Sequence, residues 1–189
     1  MSLKTKDMIL IALFAALTAV GAFIKIPTPV VPFTLQYLFC AYSGILLGAK
    51  RGFYSQLLYL SIGLMGFPIF TNGGGITYIF QPTFGYIIGF LLCSYIIGKL
   101  TERLTKVTVT SLFCTVLAGM SAVYFCGIMH LYIIMNFYLG KSMSLKTAII
   151  TGTFPFIFTD LIYSFLIAVT AAAIVPLIRK LGLVGEFSG

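Results

Sequence analysis

The chain has 189 residues, 60% of them hydrophobic and 8% charged, with a formal net charge of +8. That is more apolar surface than one water-soluble core can hide, so the protein is read as an all-α integral membrane protein. Its cations are spread through short connections with no continuous basic face, which argues against a nucleic-acid partner.

A membrane-spanning helix needs about 20 largely apolar residues, and the apolar runs predict six. The first is Met8 to Ile24, after Lys4 and Lys6. It is long enough to span and lacks a small-residue cleavage site, so it is not read as a secretory signal peptide. Ile26 to Phe33 carries Pro27, Pro29 and Pro32 and is expected to be a stiff extended segment capping one face. Thr34 to Gly48 forms a short second span, closed by Lys50, Arg51 and Gly52. Phe53 to Met65 is the third, ended by Gly66, Phe67 and Pro68. Pro82 to Gly98 is the fourth, followed by Lys99, Glu102, Arg103 and Lys106. Val107 to Phe137 is the fifth, with its last turns at an interface. Lys141 to Thr153 reads as a loop with a possible short helix, and Phe154 to Ile178 is the sixth span. Residues 1–183 form one domain, and 184–189 read as an appended tail.

Lysines and arginines concentrate on the cytoplasmic side of membrane proteins. With a cytoplasmic N terminus, nine of the twelve cations fall inside and only Lys25, Lys141 and Lys146 outside. Both termini are therefore expected in the cytoplasm, and the proline loop, the glycine-rich loop and the 141–153 segment outside.

The glycine-rich loop, Asn72 with Gly73, Gly74 and Gly75, is the most informative connection. Glycines permit positive φ and expose backbone N–H groups that can surround a small ligand. Gln81, Pro82 and Thr83 then lead into the fourth span, where Pro82 suits a first helical turn. Asp160 is the one acidic residue inside an expected span, and ionisable groups at that depth tend to face a cavity. Pro155 loosens its helix and gives it access to such a cavity. Gln36, Asn72, Gln81 and Thr83 add amides and a hydroxyl, and Tyr37, Tyr78, Tyr86 and Tyr163 offer apolar walls with polar tips. His130, alone without a nucleophile or a second histidine, is read as structural. Cys40, Cys93, Cys114 and Cys126 all lie in apolar runs without a CxxC pair and are read as small buried hydrophobes, not as metal or disulfide partners. Neither a metal nor a cofactor is called for, and the motif sets of hydrolases and zinc enzymes are absent, so the chain is not read as an enzyme.

The sequence also lacks a P-loop, so uphill movement of a solute needs energy from elsewhere. Ala12 with Ala16, and Ala15 with Ala19, place small side chains on the first helix where another helix can approach. Such a face suits a partner, or self-packing in an oligomeric channel or structural protein.

The run Pro27 to Gln36, Gly44 to Gly48 with Lys50, Arg51 and Gly52, Leu58 to Phe70, Gly74-Gly75, Gln81 to Tyr86, and Phe154 to Leu161 with Asp160 resembles the BioY family. These are the biotin-binding S components of energy-coupling factor (ECF) transporters. The resemblance implies a six-helix, vitamin-capturing subunit in a prokaryotic plasma membrane. Its implied partners are a transmembrane coupling subunit, touching Ala12, Ala15, Ala16 and Ala19, and two ATPase subunits. Gln36, Asn72, Gly73, Gly74, Gly75, Tyr78, Gln81, Thr83, Tyr86, Asp160 and Tyr163 are then the expected ligand-binding residues. Tyr163 stands where the family commonly has a lysine, and the glycine loop lacks the family's arginine. The ligand's carboxylate would fall to Lys25, Lys146 or the Tyr163 hydroxyl, or the ligand would be a relative of biotin such as lipoate or dethiobiotin.

Overall fold

The computed structural model describes residues 4–26 and 31–180, the Arg179 side chain excepted. Residues 27–30 at the centre of the proline loop and the 184–189 tail lie outside the described residues. Six helices run back and forth: α1 Thr5–Phe23, α2 Gln36–Leu47, α3 Ala49–Leu64, α4 Phe84–Arg103, α5 Val109–Ile133 and α6 Leu145–Lys180. Four of these segments are long and apolar enough to cross a bilayer. With 12 and 16 residues, α2 and α3 reach only about 18 and 24 Å at 1.5 Å per residue.

The surface is that of a protein solvated by lipid. Phe125, Phe154, Phe158 and Ile9 are all more than 60% exposed, a pattern a water-soluble monomer does not tolerate over a whole girdle. Inside, one core joins α2, α4, α5 and α6 around Tyr37, Phe90, Val116 and Ile167, and a second joins α1, α3 and α4 around Tyr59, Phe70 and Ile87. The most extensive helix contact is α4 on α5.

Several expected boundaries move. Lys50, Arg51 and Gly52 lie in the first turns of α3, because Gly48 alone joins α2 to α3 at φ 80°, a conformation glycine adopts without penalty. There, Ala49 N–H donates to Glu102 Oε1 at 2.8 Å, so a carboxylate from α4 caps the positive end of α3. Arg51 also pairs with Asp7 of α1 at 3.4 Å. The expected 141–153 loop shrinks, since α6 already begins at Leu145 and runs 36 residues with Pro155 and Pro176 inside it. A π-helical turn, Ile134–Tyr138, ends α5. Asn136 then closes the connection by donating to Met143 O at 3.0 Å and accepting from Met143 N–H at 3.0 Å. Cys114 is a correction to the cysteine reading: it is exposed, on an outward face of α5, whereas Cys40 and Cys93 are buried and Cys126 is intermediate.

At the end opposite Glu102 and Arg51 sit the two loops. The ends of the proline loop pair as short antiparallel strands, β1 Lys25–Ile26 and β2 Phe33–Thr34, with Lys25 opposite Thr34 and Ile26 opposite Phe33. The glycine-rich loop folds back on α3, and a 3-10 turn, Ile76–Phe80, leads toward α4.

Candidate functional site

A chamber opens at this loop end. It encloses about 630 Å³ of non-atom space, including the part open to solvent. Val31, Phe33, Ile87, Phe90, Val123 and Phe156 form apolar walls, and Met120 closes one side. Among the described residues, Asp160 is the only charged one lining it.

Asp160 lies fifteen residues into α6, about four turns, deeper than a helix starting at Phe154 would place it. Tyr124 of α5 donates to its Oδ2 at 2.5 Å. A carboxylate offers about four lone-pair positions, so acceptor capacity remains for a ligand. Tyr86 crosses from α4 to donate to Gly152 O at 2.9 Å, one turn before Pro155, where the ring nitrogen supplies no N–H to the helix. Tyr37 shares a 2.9 Å hydrogen bond with Ser164, which ties α2 to α6 beside the same chamber.

Gln36 has a structural duty at the chamber wall. Its Oε1 accepts from Thr34 at 3.1 Å and Thr71 at 3.0 Å, and its Nε2 donates to Tyr59 at 2.8 Å. Tyr59 in turn donates to Ile69 O at 3.1 Å. Gln36 thus knots β2, α2, α3 and the glycine-rich loop together, with one amide hydrogen left over among the described residues.

The glycines of that loop do not form the backbone cradle expected of them. Gly73 N–H is taken by Phe70 O at 3.2 Å and Gly75 N–H by Gly63 O at 2.7 Å. Their positive φ values, 116° and 98°, serve a tight fold of the loop onto α3. A Cβ on Gly74 would overlap the Phe67 carbonyl. Backbone conformation at Gly73 and Gly75 and close packing at Gly74 are therefore what require the glycines.

Of the expected ligand-binding residues, Gln36, Tyr78, Thr83, Tyr86 and Asp160 line the chamber, and Asn72, Gly73, Gly74, Gly75, Gln81 and Tyr163 do not. Tyr78 and Thr83 share a 3.0 Å hydrogen bond, and burial pushes the Tyr78 phenol above its ordinary value. Thr83 is the N-cap residue of α4 and Pro82 lies in the turn before it, outside the first helical turn. Tyr163 stands behind the wall, stacked on Phe33 with ring centroids 5.8 Å apart. Asn72 is exposed at the rim and accepts from Lys25. Gln81 is exposed too, and its carbonyl faces His130 Nε2 at 3.2 Å, consistent with a structural histidine that pins the α4 entry.

Sequence reading missed Tyr124, Thr71 and Thr34. Tyr124 is one of 11 tyrosines. The available signal was its place on the α5 face that also carries Met120, Val123 and Gly127, all buried, since residues three and four apart share a helix face.

On α1, exposed Ala12 and Ala16 form a shallow strip flanked by Ile9, Leu13 and Val20. Ala15 is 4% exposed and Ala19 packs against the α1/α3/α4 core, so those two serve the chain's own packing.

Comparison with known proteins agrees with this architecture. The BioY family model matches residues 1–180. The chain is 43% identical over 177 residues to a probable biotin transporter BioY of Lysinibacillus sphaericus, covering 94% of this chain and 88% of that protein. It is 36% identical over 177 residues to the biotin transporter BioY of Thermotoga maritima, covering 93% and 97%. The crystal structure of the S component for biotin from an ECF-type ABC transporter superposes with a TM-score of 0.79 at 26% identity, covering 93% of this chain and 95% of that one. A six-helix membrane bundle, a loop-end chamber headed by Asp160 and a family match over nearly the whole length converge: the chain belongs to the BioY family of transport proteins.

Proposed function

We propose that this protein is a biotin-binding S component, capturing the vitamin from the extracellular side for ATP-driven uptake by partner subunits. The observation that carries this reading is the chamber: one carboxylate with unused acceptor positions, at membrane depth, among apolar and aromatic walls. Biotin's ureido ring presents two N–H donors and one carbonyl. Asp160 accepts from the ring N–H groups, and the remaining Gln36 amide hydrogen is a donor for the carbonyl. Phe33, Phe90, Val123 and Phe156 enclose the apolar thiophane ring and aliphatic tail.

The basic end of the bundle faces the cytoplasm of a prokaryotic cell and the loop end faces outward, because nine of twelve cations then lie inside. The sequence has no nucleotide-binding motif of its own, so a coupling subunit and two ATPases provide the energy. The Ala12 and Ala16 strip, where side chains are small and exposed, gives the coupling subunit a surface for close helix contact.

Native mass spectrometry of the protein purified from biotin-grown cells tests the ligand directly. An adduct of biotin's mass is expected, exchanged for added isotope-labelled biotin and not for lipoate. An adduct of lipoate or dethiobiotin, or displacement by either in preference to biotin, would reject biotin as the ligand.

A further inference from the structure

The chamber has a single formal charge, and it is negative. Among the described residues no lysine, arginine or histidine lines it, while biotin itself carries a carboxylate at the far end of its tail. Two carboxylates in one apolar enclosure repel each other, so the ligand's acid group must lie at the rim, away from Asp160. One rim position supplies a cation. Lys25 pairs across the β1–β2 ladder with Thr34, a chamber residue. Its Nζ donates at 2.6 Å to the carbonyl of Thr71, a second chamber residue, and at 3.5 Å to Asn72 Oδ1. Among the described residues the ion pair is Arg51 with Asp7, at the opposite end of the bundle. The other two cations expected on this side, Lys141 and Lys146, are exposed, and among the described residues neither side chain bonds a chamber residue.

An ammonium group has three donors, and two of those on Lys25 are engaged. We propose that the third receives the ligand's carboxylate, so that Lys25 selects for the acid while holding the Thr71 carbonyl. Asn72 adds amide hydrogens at the same place. Lys25 is then a specificity-determining contact at the chamber mouth, and because it also grips the glycine-rich loop, an acidic ligand strengthens the bridge between β1 and that loop. This inference rests on the biotin reading above.

The test compares biotin with biotinamide, its neutral amide of nearly equal size, by calorimetry on the purified full chain. Wild-type protein is expected to prefer the acid by about tenfold, the weight of one charge-assisted hydrogen bond. Lys25→Met should lose the preference and bind biotin about as weakly as biotinamide, and Lys25→Arg should keep the preference. An unchanged melting temperature and saturable biotinamide binding show that the variant is folded. Lys25→Gln, which retains a donor but no charge, should behave like Lys25→Met. Full preference for the acid in Lys25→Met overturns the assignment of Lys25 alone. Equal loss of both ligands in the Met and Gln variants at unchanged melting temperature overturns it as well, pointing to a tether without selectivity. Wild-type protein that binds neither compound removes the biotin reading, and this inference with it.

Discussion

Two clusters of polar side chains lie at membrane depth in this protein, and they differ in what they leave unused. Between α1, α2, α3 and α4, Gln56 Nε2 donates to Thr18 at 3.2 Å and approaches Ser43 at 3.3 Å and Ser55 at 3.2 Å. Ser43 and Ser94 share a further bond of 2.9 Å, and all five residues are fully buried. Their groups are turned toward one another, as a buried polar cluster must be to offset its desolvation. Around Asp160, by contrast, Tyr124 occupies one acceptor position and the carboxylate keeps others, open to a chamber. The difference teaches that intramembrane polarity alone does not mark a binding site; polarity with spare capacity beside empty space does.

The comparison can be broken from either side. The largest change in ligand affinity among the next three variants is expected for Gly74→Val, whose side chain would meet the Phe67 carbonyl and push the loop that carries Thr71 off the chamber. At about 1–3 kcal/mol for such overpacking, biotin affinity should fall roughly tenfold or more in a calorimetric titration. Tyr124→Phe removes the one protein donor to Asp160 among the described residues, and a loss of about three- to tenfold is expected, matching ~0.5–1.5 kcal/mol for one hydrogen bond. Wild-type affinity in that variant would show that Asp160 is not positioned by Tyr124. Ala12→Leu should change neither affinity nor melting temperature, because Ala12 is exposed. It should abolish co-purification with a coupling subunit and biotin uptake in cells. Normal uptake would remove Ala12 from the partner surface.

The helices were legible in the sequence because lipid enforces long apolar runs, and the charge pattern separated the two ends. The α2–α3 junction was not, since a single glycine at positive φ replaces a loop and Lys50 and Arg51 look like a connection while occupying a helical turn. The start of α6 was hidden by Pro155, which reads as a helix beginning yet lies inside one. In the site, Asp160 was visible as the only acid in an apolar run, and Gln36, Tyr78, Thr83 and Tyr86 followed from their neighbours. Tyr124 was not, because its role depends on α5 packing against α6, a contact no local pattern encodes. The glycines signalled a special loop correctly but suggested backbone N–H groups for a ligand. Tertiary hydrogen bonds to Phe70 O and Gly63 O use two of those groups instead.

The most direct measurement is a calorimetric titration of biotin into wild-type protein, Asp160→Asn and Gln56→Ala, with melting temperatures recorded alongside. Saturable one-to-one binding is expected in the wild type, weakened about 10- to 100-fold in Asp160→Asn at nearly unchanged stability, as hydrogen bonds to a charged group are worth ~1.5–3 kcal/mol. Gln56→Ala should lower the melting temperature and leave affinity intact. Absence of biotin binding in the wild type, or equal affinity in the wild type and Asp160→Asn, would contradict the account.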